Sequence, residues 1–194
     1  EPDNLTTVFW SYCWFSLISA SGFVSFVLIG YHLKAKNLLS DAYIPLSYIF
    51  IMIVDAIAAL FIGWMYDKMK KKKNDNKAGL LMLLFMPLLT ALIPVLVFTS
   101  QINLIFIGLT IWGIVMGMHE TIMKAAIADI TSLKKRGTGY GIFNAFYGVA
   151  LFIGSALAGI LYDYSIPLLI VIVVFIELLS LPIFFKMKKY IIIS

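Results

Sequence analysis

Long apolar runs, separated by short polar or basic clusters, set the pattern of this chain. A bilayer core about 30 Å thick is crossed by about 20 apolar residues in a helix. Six runs meet that length: Thr7–Leu33, Ala42–Tyr66, Gly79–Phe98, Leu104–Ile130, Tyr140–Tyr162 and Ile166–Phe185. The connections are short, so sequence neighbours are expected to pack antiparallel. Ser40 or Asp41 is suited to cap the second run, with Pro45 in its first turn. Pro87 and Pro94 predict a bent third helix, tolerated because neighbouring helices or local readjustment satisfy the freed carbonyls. The fold class is an all-α integral membrane protein with one six-helix domain over residues 1–194.

Composition agrees. The chain is 62% hydrophobic and 13% charged, with mean hydropathy +0.98, whereas soluble domains are about 45–50% apolar and about 25% charged. A net charge of +5 would suggest nucleic acid for a soluble protein. Here the cations sit in short loops and act as topology anchors, so no nucleic-acid partner is expected. Lys68, Lys70, Lys71, Lys72, Lys73 and Lys77 follow the second run. Lys134, Lys135 and Arg136 follow the fourth, and Lys186, Lys188 and Lys189 follow the sixth. With six spans, all twelve share one side, while Lys34 and Lys36 lie on the other. The positive-inside rule then puts both termini in the cytoplasm and the protein in the cell membrane as a multi-pass chain. The aromatic cluster Phe9, Trp10, Tyr12, Trp14 and Phe15 reads as an interfacial belt. Asn4-Leu5-Thr6 matches a glycosylation sequon but falls on the cytoplasmic side. Cys13 has no internal disulfide partner, as the single cysteine. The opening Glu1-Pro2 carries no basic signal-peptide region, and the sequence reads as a piece of something longer.

Small residues recur every four positions in three spans: Gly113, Gly117, Thr121 and Ala125; Ala150, Gly154 and Ala158; and Asp55, Ala59, Gly63 and Asp67. Such stripes are first of all helix-packing faces. Ionisable groups inside the spans are costly, by about 2.5–3.5 kcal/mol on insertion scales, and so point to a bundle interior or a cavity. Asp55, Glu120, Lys124 and Glu177 form a candidate proton or substrate pathway. Each also has a structural reading. Glu120 and Lys124, four apart, can form an ion pair, Asp55 can hydrogen-bond a neighbouring hydroxyl, and Glu177 can hold two helices together. His119 points about 100° away from Glu120 and reads as a packing residue. Ser21, Ser25 and His32 share one face, as do Tyr140, Asn144 and Tyr147. Both faces can line a cavity, and Asn144 is the stronger lining candidate, since serines in membrane helices often bond their own backbone.

Gly63-Trp-Met-Tyr-Asp-Lys-Met-Lys-Lys-Lys-Lys73 resembles the Gly-x-x-x-Asp-Arg/Lys-x-Gly-Arg/Lys-Arg/Lys loop of the major facilitator superfamily. Gly63, Asp67, Lys68, Lys71 and Lys72 match, and Lys70 stands where the inner glycine belongs. His119–Asp129, Lys134–Asn144 and Gly154–Asp163 resemble helices ten and eleven of prokaryotic members. The resemblance covers nearly the whole chain and implies the C-terminal half of a twelve-helix bundle. It further implies alternating-access secondary transport (symport or antiport) of a small molecule bound between two six-helix halves. The loop would be a cytoplasmic latch built from Gly63, Asp67, Lys68, Lys71 and Lys72, joined by Arg136. Partners would then be membrane lipid, the small-molecule substrate, and an N-terminal half or a second copy. No cofactor or metal is implied.

An enzyme is disfavoured, since the sequence has no Gly-x-Ser-x-Gly, His-Glu-x-x-His, Cys-x-x-Cys or P-loop motif. Gly137-Thr-Gly-Tyr-Gly141 mimics a nucleotide loop but opens a membrane span. A channel or membrane scaffold is the remaining alternative. No span suggests a re-entrant filter or a ring of like residues.

Overall fold

A computed structural model describes residues 5–73 and 78–193, with the side chains of 79–189 and 5–72 placed. Lys77 and the sequon residue Asn4 lie outside the described residues. The helices are α1 (Thr7–Ser21), α2 (Phe26–Ala35), α3 (Tyr43–Lys73), α4 (Phe85–Val97), α5 (Ile102–Ile130), α6 (Arg136–Tyr164) and α7 (Ile166–Ile193). Short 3₁₀ segments at Ala78–Leu84 and Leu133–Lys135 lead into α4 and α6. No strand occurs among the described residues. Six segments are long and apolar enough to cross a membrane: Thr7–Ala35, Tyr43–Lys72, Gly79–Val97, Ile102–Ile130, Leu133–Tyr164 and Ile166–Lys189. The six expected spans are therefore all present.

The first differs from a plain span. It is two helices, α1 and α2, joined by non-helical backbone at Gly22–Ser25. The third begins as a 3₁₀ turn that becomes α-helical just before Pro87. Proline lacks an N–H and its ring clashes with the carbonyl four residues back, which accounts for the change of geometry there. The α2–α3 loop is also settled locally. Asn37 takes φ 52° after the last turn of α2, and its N–H donates to Lys34 O at 3.0 Å while Leu38 N donates to Leu33 O at 2.9 Å. This is a Schellman stop with asparagine in the left-handed position. Asp41 does not cap α3; its Oδ2 takes the Lys34 Nζ at 2.8 Å.

Packing is set by small residues more than by sequence order. The tightest pairs are α3 on α5, α1 on α7, α4 on α5 and α1 on α6. Consecutive α5 and α6 touch only lightly. A methyl group on Gly113 would lie 2.9 Å from Ile51 O, and one on Gly117 would lie 2.9 Å from Ala59 N. These glycines let α3 and α5 meet backbone to backbone, the packing role expected of the stripe. About half of the span windows of α1–α2 (56%), α4 (50%) and α5 (50%) is buried, against 28% for α3, α6 and α7. The outer faces of the last three must therefore meet lipid or other helices.

Candidate functional site

The break in the first span is the centre of the site. Gly22 weakens the helix, and Ser25 starts α2 with extended backbone, φ −67° and ψ 146°. Non-helical backbone at membrane depth needs partners inside the protein. Trp112 of α5 supplies one: its Nε1–H donates to Val24 O at 2.8 Å. The Phe23 ring packs at 4.9 Å from both the Trp112 and His119 rings. Two close approaches complete the seat. A methyl group on Gly22 would overlap the Glu177 carboxylate, and one on Gly154 of α6 would overlap Ser21 O.

Buried polar groups surround this break. Glu177 of α7 is 1% exposed. Its Oε2 accepts from Ser19 Oγ at 3.0 Å. Its Oε1 has no hydrogen-bond partner among the described residues, nor does the buried Ser16 Oγ. On the other side, His119 Nδ1 lies 2.8 Å from Tyr147 OH, while His119 Nε2 and Asp55 Oδ1 are buried without partners among the described residues. Buried polar atoms are normally paired, so these orphans are the candidate positions for a proton, water or ligand group.

A cleft of about 520 Å³ opens beside the break, between α1–α2, α3, α5 and α6. Phe23, Ser25, Tyr48, Trp112, Tyr147 and Ser155 give it an aromatic wall with scattered hydroxyls.

The basic end of the bundle carries a second cluster. Lys70 Nζ of α3 lies 2.7 and 2.8 Å from the two carboxylate oxygens of Asp129, near the end of α5. Tyr66 OH donates to Asp129 Oδ2 at 2.8 Å. Gly79 admits the Tyr66 ring, which a methyl group there would meet at 2.5 Å. Arg136 Nη2 donates to Ala128 O at 3.0 Å, tying the start of α6 to the end of α5.

The residues expected from sequence are thus distributed unevenly. Glu177 and Asp55 are buried. Glu120, Lys124 and Asn144 are exposed on this half. Among the described residues, Glu120 and Lys124 do not form an ion pair with each other. Asp67, Lys68, Lys71 and Lys72 are exposed at the end of α3, and Gly63 faces open space. Ser21 Oγ bonds Ile18 O at 2.7 Å in its own helix, Ser25 lines the cleft, and His32 Nδ1 lies 3.0 Å from Tyr162 OH. Sequence reasoning passed over Trp112, Phe23, Asp129 and the pairing of Lys70. A tryptophan in mid-span and a glycine in the first span were the available signals.

This arrangement of six apolar helices, one of them broken beside buried polar groups, is that of a multi-pass membrane protein. Residues 9–190 match the Major Facilitator Superfamily, and the chain belongs to that family. Uncharacterised proteins of Mycobacterium bovis and of two Mycobacterium tuberculosis strains are each 34% identical over 188 residues. The match takes in 97% of this chain and 44% of theirs, so the chain spans less than half the length of the curated relatives it matches. No solved structure matches the chain.

Proposed function

We propose that this chain is the C-terminal six-helix half of a secondary transporter that moves a small molecule by alternating access, coupled to protons. The cleft beside the α1–α2 break is this half's share of the substrate path. The carrying observation is the break itself, seated on Trp112, Glu177 and Gly154. Discontinuous helices at mid-depth put free backbone dipoles where a solute or coupling ion binds. Glu177, Asp55 and Glu120 supply carboxylates for proton coupling, with Lys124 and Asn144 beside the path. The exposed Asp67 carboxylate, with Lys71 on the same helix end and Arg136 at the start of α6, serves as the cytoplasmic latch. It would bond to the other half in one state and release it in the next. The twelve basic residues at alternate ends of the spans support an orientation in the cell membrane with both termini on the cytoplasmic side.

Thiol labelling in membranes tests this reading without a known substrate. Ser25→Cys and Ser155→Cys are introduced into the intact protein in a background without other reactive thiols. An impermeant maleimide is then applied from either face. Alternating access predicts that each site reacts from both faces and that changing pH shifts the balance between faces. Inaccessibility from both faces would remove the cleft from the path. A permeation route open to both faces at once would make the protein a channel.

A further inference from the structure

A second concavity, of about 480 Å³, lies on the outside of the bundle between α3 and α4, floored by α5. Val54, Phe61 and Met65 of α3, Phe85 and Leu89 of α4, and Met118 of α5 form its walls, and every lining side chain is apolar. Phe61 and Phe85 are more than half exposed there. On a helix of 3.6 residues per turn, Lys68 and Lys72 continue the row of Val54, Phe61 and Met65. Lys70, by contrast, points to α5 and is taken up by Asp129. At a rise of about 1.5 Å per residue, Lys68 stands about 10 Å beyond Phe61, at the basic end. Trp64 links the two: its ring lies 5.9 Å from Phe61 and 4.5 Å beneath the Lys68 ammonium.

From this we propose that the α3–α4 groove is a binding site for an anionic phospholipid. The hydrocarbon tail fills the groove, Trp64 sits at the level of the glycerol backbone, and Lys68 and Lys72 hold the phosphate. Two features favour lipid over a protein helix. The walls are bulky, with phenylalanine, methionine and leucine, whereas on its other side α3 meets α5 through the small Gly113 and Gly117. The groove also ends in cations at interfacial depth, which attract anionic headgroups. Lys68 and Lys72 therefore act on lipid here, and the latch role rests on Asp67 and Lys71, which lie off the groove's face.

Native mass spectrometry of the intact protein, delipidated and re-equilibrated with equal phosphatidylglycerol and phosphatidylcholine, provides the test. The wild type should retain phosphatidylglycerol several-fold over phosphatidylcholine. Lys68→Gln with Lys72→Gln should abolish that preference. Lys71→Gln with Lys186→Gln, which removes the same charge elsewhere, should keep it. Equal retention of both lipids by the wild type would overturn the site. Equal loss of preference in both charge pairs would overturn it as well, by reducing the effect to diffuse attraction.

Discussion

The Trp112 indole of α5 donates a 2.8 Å hydrogen bond to the Val24 carbonyl, an oxygen set free by the interruption of the first span. Trp112→Phe keeps most of the ring area but strands that oxygen. Hydrogen bonds within membrane proteins average about 0.6 kcal/mol, with a maximum near 1.7, whereas an unsatisfied buried group costs about 1–3 kcal/mol. The expected result is a loss of about 1 kcal/mol or slightly more, read as a lower melting temperature in detergent. Labelling of Ser25→Cys should change with it. An unchanged melting temperature and labelling pattern would show that the break holds without the indole.

Gly22 and Glu177 test one another. Gly22→Ala places a methyl group on the carboxylate, and overpacking of this kind costs roughly 1–3 kcal/mol. Glu177→Ala opens space there but leaves Ser19 Oγ without its acceptor. Residues in contact couple by about 0.5–3 kcal/mol in double-mutant cycles. The double variant should therefore be more stable than the sum of the single losses allows. Strict additivity would mean that the two do not meet. Glu177→Gln separates packing from charge. It should fold normally and make uptake insensitive to an imposed pH gradient.

At the basic end the bonded carboxylate is Asp129, with side-chain exposures of 23% for Lys70 and 12% for Asp129. Hydrogen bonds to charged groups contribute roughly 1.5–3 kcal/mol, and partial exposure reduces this toward about 1 kcal/mol. Asp129→Asn and Lys70→Gln should each lower stability by about that amount, and the pair should be strongly non-additive. Asp67→Asn, at an exposed position, should leave the stability of this half unchanged while slowing transport. A stability loss in Asp67→Asn as large as in Asp129→Asn would contradict this division of roles.

The spans were legible because each is a bilayer-length apolar run. Glu177 and Asp55 stood out for a similar reason: a carboxylate in an aliphatic helix is rare enough to be noticed. What hydropathy misses is the interruption at Gly22–Ser25. Phe23 and Val24 keep the apolar run going, and the break is fixed by Trp112, 88 residues away from Val24 in sequence. Periodicity likewise turned Glu120 and Lys124 inward because they adjoin the Gly113–Gly117 stripe. That stripe is filled by α3, so its flanks emerge on the uncovered side. The same blindness to partners made Lys70 a loop anchor, although helical spacing carries it to α5 and Asp129.

The glycines divide into those that are filled and those that are free, and substitution should separate them. Gly117 meets α3 so closely that a methyl group would stand 2.9 Å from Ala59 N and 3.0 Å from Asp55 O. These are backbone atoms of a packed helix and have nowhere to move. Gly117→Val should push α3 and α5 apart and cost about 1–3 kcal/mol. It should also shift Asp55, whose carbonyl is part of the contact. Gly63, Gly141 and Gly159 have nothing within 4 Å of a methyl group on this half. Alanine at those sites should leave the fold of the six helices intact and slightly favour helix formation. If Gly63→Ala or Gly141→Ala nevertheless lowers the stability of the intact protein by 1 kcal/mol or more, that glycine packs against a helix outside this chain. Thermal unfolding of the four variants in one detergent measures the contrast directly.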